Sequence, residues 1–121
     1  MRTIIGFVRL FPLETAAGIS ARTWRVLAPI ISRKRHARAL ENIATAFPEM
    51  PDKQRREIIL SHWENLGRVM VETMQLDRLT DDPDRIEIVS KKVFSRYQDK
   101  FGPAIGISLH MGNWELAIWP L

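Results

Sequence analysis

GISLHMGNWEL, residues 106–116, closes an apolar run on His110 and sets Glu115 five residues later. Neither regular conformation lets those two side chains meet. Five residues of continuous α-helix turn through about 500°, which leaves the side chains about 140° apart. On a continuous strand an odd spacing puts them on opposite faces. A strand that breaks sharply into a helix brings them together, and Gly112-Asn113 supplies the break. The stretch therefore predicts a strand ending at His110, a turn, and a helix that opens near Asn113.

In that arrangement His110 lies at the carboxyl end of a strand, where open α/β sheets hold their ligands. Glu115 falls in the first helical turn, where the dipole favours a carboxylate. The carboxylate can accept a hydrogen bond from one imidazole nitrogen, fixing the tautomer and stabilising the imidazolium that forms. The other nitrogen is then free to take a proton from a hydroxyl or amine. Such a general base contributes about 10²–10⁴ in rate. The alternative is a surface histidine followed by an unrelated helix-opening glutamate. Spacing alone does not choose between them: with three histidines and fourteen acids, roughly a third of shuffled chains would hold a His-x4-Asp/Glu pair. The apolar run before the pair and the glycine within it favour the dyad.

Working outward, PAIGISLH (103–110) reads as a strand that opens on Pro103, a position where proline is tolerated. RIEIV (Arg85–Val89) alternates polar and apolar residues like a shorter one, and KKVFSRYQDK (91–100) between them reads as a helix. Upstream of the turn-rich TDDPD lie helical patterns: Leu13 to about Ala28, a second opening near Ser32 and stopping before Pro48, and a long third from Pro51 to Leu76. The second carries a stripe of Ala37, Leu40, Ala44 and Phe47 with Ile43 beside it; the third carries Ile58, Ile59, Trp63, Leu66, Met70 and Met74. Gly67 counts against the middle of the third helix, since glycine costs about 1 kcal/mol there relative to alanine. The expected class is α/β, N-terminal helices followed by the start of a β-α-β sheet. Two parallel strands are normally buried within a larger sheet and are marginal alone. The expectation is therefore an N-terminal part of a longer protein.

Composition narrows the partners. The absence of cysteine excludes disulfides, thiolate metal sites and a cysteine nucleophile. The net charge of +4 hides an asymmetry. Residues 1–40 hold eight basic side chains (Arg2, Arg9, Arg22, Arg25, Arg33, Lys34, Arg35, Arg38) against Glu14 alone, and residues 41–121 hold ten against thirteen acids. Two readings stand for the basic end: a surface for anionic lipid, or a solvated helix face. Nucleic acid fits poorly, because the arginines are not interleaved with stacking aromatics. Ile4–Ile31 is too interrupted by charge to span a bilayer, which leaves interfacial association. His36 and His62 lack partners at metal-ligand spacing and read as structural or surface residues. No metal site is expected.

LHMGNWEL resembles the catalytic block of the bacterial lipid A late acyltransferases, which share a His-x4-Asp/Glu motif with glycerolipid acyltransferases. RHARALENIATAFPEMPDKQRREI, residues 35–58, resembles that family's upstream segment, with Arg38, Asn42 and Phe47-Pro48-Glu49 at matching places. The resemblance implies an acyltransferase on the cytoplasmic face of the inner membrane. Such an enzyme moves a fatty acyl group from acyl carrier protein to a hydroxyl of a lipid A precursor, without a cofactor. It implies His110 as the base, Glu115 as its orienting partner, and Gly112, Asn113 and Trp114 as residues that shape the turn and the acyl site. Residues 1–31 would form a basic membrane-associating segment and residues 32–121 the first part of the acyltransferase domain. Family members are commonly more than twice this length, so these 121 residues alone are expected to be inactive. A glycerophospholipid or lysophospholipid acyltransferase is the nearest alternative, although those usually carry aspartate where Glu115 stands. An inactive lipid-surface-binding fragment is the other.

Overall fold

Pro12 divides the first two helices. The residue before a proline is driven out of the helical region, so α1 (Arg2–Val8) cannot run on into α2 (Leu13–Ile31). Two short turns close the gap: Leu10 N–H donates to the Phe7 carbonyl at 3.1 Å and Phe11 N–H to that of Val8 at 3.3 Å. The computed structural model describes residues 2–82, 84–86, 107, 109, 112, 113 and 116, and these divide between two compact units, Met1–Met74 and Gln75–Leu121.

In the first unit α2 runs three residues past Ala28, with Pro29 inside its last turn, and ends where Ser32 N–H donates to the Ala28 carbonyl at 2.8 Å. α3 (Arg33–Ala46) starts at once. Ser32 occupies its capping position but contributes only a backbone carbonyl, which accepts from His36 N–H at 2.9 Å. α3 stops before Pro48, and α4 (Asp52–Met74) follows after a short loop. Arg55 ties that loop down. Its guanidinium donates to the carbonyls of Phe47 (3.2 Å) and Pro48 and to Asp52 Oδ1 (3.3 Å).

The core forms where α2 and α4 pack along each other and α3 lies against both. Ala28, Ile59 and Trp63 are buried at its centre, with Trp24, Ala39, Leu40 and Ile43 against them. The Trp24 and Trp63 rings stack with centroids 6.3 Å apart. Towards the other end α2 buries Leu13, Ala16, Ala17 and Ala21. From α4 the buried side is Ile59, Trp63, Gly67 and Val71, four residues apart each time. Ile58, Leu66 and Met70 are instead exposed. At Gly67 the two helices come close together: a Cβ there would stand 2.7 Å from the Ser20 carbonyl oxygen, and Ser20 Oγ donates to the Gly67 carbonyl at 2.7 Å. The residue that argued against a helix is thus what lets α4 seat against α2.

Two further contacts lock the unit. Trp63 donates its indole N–H to His36 Nδ1 at 3.1 Å, which sets the face of α3. His36, Ala39, Leu40 and Ile43 turn inward, while Ala37 and Phe47 are exposed. Arg25 of α2 bridges Glu57 (2.5 Å) and Glu64 (3.3 Å), two turns apart on α4. The hydrogen bond to Glu57, opposed by partial desolvation and helped by both carboxylate charges, raises Arg25 above the ordinary guanidinium range.

In the second unit α5 (Leu76–Thr80) opens beside Gln75, whose side-chain oxygen accepts from Arg78 at 2.7 Å. A turn follows. Asp82 accepts from the Asp84 N–H (3.1 Å) and the Arg85 Nε (2.9 Å), and Arg85 N–H donates to the Asp82 carbonyl at 3.1 Å.

The α/β expectation is corrected here. Every regular element spanning several described residues is a helix, and none of the described residues lies in a strand, so the described fold is all-α. Of the two expected strands, Arg85 sits in the turn, and Ile86, Ile107 and Leu109 belong to no regular element. The physical reason is visible at Ile107, whose side chain is 93% exposed. Strand propensity records fit to a half-buried pleated surface, and Ile107 is not buried on one. The remainder of both segments, and residues 91–100 between them, lie outside the described residues.

Candidate functional site

The motif at 110–115 is described at its turn. Gly112 has φ +56°, the left-handed region that side chains with a Cβ rarely adopt. No described atom lies within 4 Å of where a Cβ would be, so conformation and not space calls for glycine. One residue later the Asn113 carbonyl accepts the Leu116 N–H at 3.2 Å, a single tight helical turn. Gly112 is exposed, and Asn113 and Leu116 are half-buried. His110, Trp114 and Glu115 lie outside the described residues.

The other histidines have plain roles. His36 accepts the Trp63 indole hydrogen bond, and His62 is exposed with its ring tilted against Trp63. Among the described residues no three His, Asp or Glu side chains are grouped as metal ligands would be. Arg38 and Asn42 are exposed on α3, one turn apart.

The α2 helix has a second apolar face that the sequence reading passed over. Ile19, Val26 and Ile30 are 56%, 63% and 58% exposed. At 100° per residue they fall within about 40° of one another, and Ala21 and Ala28 fall on the opposite side. The signal was present in the spacing of seven and then four residues. Arg22 flanks this stripe, and Arg33, Lys34, Arg35 and Arg38 follow on α3; these five make no ion pair with any described residue. Arg25 is the exception among the basic residues of α2, held by Glu57 and Glu64. No helix among the described residues is long and apolar enough to cross a membrane.

The family model for bacterial lipid A biosynthesis acyltransferases matches residues 3–121. The chain belongs to that family. No curated protein and no solved structure matches it. Acyl transfer in lipid A biosynthesis is the family's chemistry, with a lipid A precursor as substrate. The match takes in α2, α3 and α4 as well as the Gly112 turn.

Proposed function

We propose that His110 and Glu115 form the general-base dyad of an acyl-carrier-protein-dependent O-acyltransferase acting on a lipid A precursor. His110 takes the proton of the acceptor hydroxyl as its oxygen attacks the thioester carbonyl. The C–O bond forms, and the carbonyl oxygen carries the negative charge of the tetrahedral intermediate. Collapse breaks the C–S bond, and the imidazolium returns its proton to the departing thiolate of the carrier protein. Glu115 accepts a hydrogen bond from the second imidazole nitrogen and stabilises the imidazolium between these steps. Trp114 and Asn113 shape the turn and the acyl site. The scheme needs neither metal nor cofactor.

The observation that carries this reading is the left-handed Gly112, followed at once by the Asn113–Leu116 turn, inside a His-x4-Glu motif. A left-handed residue between the two interrupts the continuous helix or strand that would keep them apart. We place the reaction at the cytoplasmic face of the inner membrane, with the outward stripe of α2 and the unpaired basic residues lying on the lipid surface. An amphipathic helix with an apolar stripe beside arginines binds in that way.

The test is acyl transfer from an acyl carrier protein thioester to a lipid A precursor, measured on the protein as its gene encodes it. His110→Ala should lower turnover by about 10²–10⁴, and Glu115→Gln should lower it while leaving vesicle binding intact. A His110→Ala protein within tenfold of the parent would remove the dyad from the mechanism. Faster transfer to a lysophospholipid than to the lipid A precursor would move the acceptor assignment.

A further inference from the structure

The elbow where α2 gives way to α3 holds two adjoining features that the acyl-transfer scheme leaves unused. Thr23, Trp24, Leu27, Ala28, Ile31 and Ser32 line an open groove of about 250 Å³ with almost wholly apolar walls. Ile31 and Ser32 also border a second concavity, of about 360 Å³, whose other walls include Arg33, Lys34 and Arg35. Those three cations are exposed and pair with no described residue, and the first turn of α3 contains no acid. They stand at the helix end where the backbone dipole repels positive charge. An external anion would relieve that repulsion.

We propose that this elbow binds one anionic phospholipid of the bilayer, with an acyl chain along the Trp24–Ile31 groove and the phosphate against Arg33, Lys34 and Arg35. The proposal rests on the lipid-surface reading above and narrows it to a site. An apolar groove alone would accept any hydrocarbon, and a cationic cluster alone would accept any acidic partner. Side by side they match a molecule whose anionic head is joined directly to an alkyl chain. The geometry of α2 agrees: Leu27 and Ile31 lie about 80° and 120° round the helix from Ile19. The groove thus opens between the outward stripe and the core. With that stripe laid into the interface, the elbow sits at headgroup depth.

Binding to phosphatidylcholine vesicles, with and without phosphatidylglycerol, tests the site. Native mass spectrometry in neutral detergent with added phosphatidylglycerol then counts retained lipid. R33Q/K34Q/R35Q should weaken binding to the phosphatidylglycerol vesicles about a hundredfold, from roughly fivefold per basic residue near an anionic surface. Its binding to pure phosphatidylcholine should stay unchanged. L27W, which fills the groove from a half-exposed position, should abolish the single retained lipid in detergent. I19S/V26S/I30S should release the protein from both kinds of vesicle while the elbow still retains one lipid in detergent. Parent protein that ignores both vesicles would overturn the surface reading and this proposal with it. If the parent binds and the triple glutamine variant binds equally well, the proposal fails alone. It fails likewise if L27W retains its lipid, or if the glutamine variant loses affinity for acidic acyl carrier protein and not for vesicles.

Discussion

Gly67→Ala sets two physical effects against each other. In an unobstructed helix the change stabilises by about 1 kcal/mol, because alanine loses less backbone entropy. At Gly67 the new Cβ would stand 2.7 Å from the Ser20 carbonyl oxygen and 2.8 and 2.9 Å from Cδ1 and Cβ of Trp24. Carbon atoms attract best at about 3.5–4.0 Å, so something must move. The Ser20 oxygen is backbone, and Trp24 is held by its stack on Trp63. Relief therefore requires α2 and α4 to part. Overpacking of this kind costs about 1–3 kcal/mol, and parting also weakens the Ser20 Oγ to Gly67 hydrogen bond, about 1 kcal/mol more. Set against the propensity gain, the expected net loss is about 1–3 kcal/mol. Urea unfolding followed by helical circular dichroism reads it directly. In a unit this size each kcal/mol also lowers Tm by roughly 4–8 °C. Gly18 is the internal control. It lies inside α2 with no described atom within 4 Å of its would-be Cβ, so Gly18→Ala should stabilise by up to about 1 kcal/mol. If both variants are stabilised alike, the close approach of α2 and α4 at Gly67 is refuted.

His36→Ala leaves the Trp63 indole N–H without its acceptor in a half-buried place and should cost about 1–3 kcal/mol; in a double-mutant cycle with Trp63→Phe the losses should be less than additive, and strict additivity would sink the pairing. Gly112→Ala meets no steric obstacle but forces a Cβ into the left-handed region at about 1–2 kcal/mol, so acyl transfer should fall in the order Gly, Asn, Ala at this position; equal activity of the alanine and asparagine variants would show that the conformation is not required. Arg25 has its pKa raised in the folded state, so its contribution is fully present below the ordinary guanidinium range and is lost only as pH rises through the folded value. The stability gap between parent and Arg25→Gln should therefore stay constant from about pH 7 to pH 10 and shrink in about 1 M salt, and a gap that closes within that pH window would contradict the assignment.

Where the chain carries local signals, its structure was legible. Pro12 and Pro48 mark the boundary of α2 and the stop of α3, and Ser32 marks the junction between the two. Face selection was harder. Hydropathy put Leu66 and Met70 in the core of α4, yet Gly67 and Val71 are buried and those two are exposed. Large apolar residues dominate any periodicity, whereas the close packing of α2 on α4 at Gly67 leaves no room for a Cβ. On α3 the same error shifted the stripe towards Ala37 and Phe47, because nothing in the sequence announces that Trp63 will donate to His36. The strand readings failed where described: Ile86, Ile107 and Leu109 lie in no regular element, and alternation in the sequence records only that a residue would suit a half-buried surface.

The sequence by itself determined the motif from His110 to Glu115, the glycine that turns the chain inside it, and the kinship that both imply. These depend on residue identity and short spacing, which the covalent chain carries. The register of α2 on α4, the bridging of Glu57 and Glu64 by Arg25, and the outward stripe of Ile19, Val26 and Ile30 were decided only by tertiary structure. Each depends on which side of a helix another helix happens to cover. A helix apolar on two sides, as α2 is, buries the side its partner fits, and here that side meets Ile59, Trp63 and Gly67 of α4.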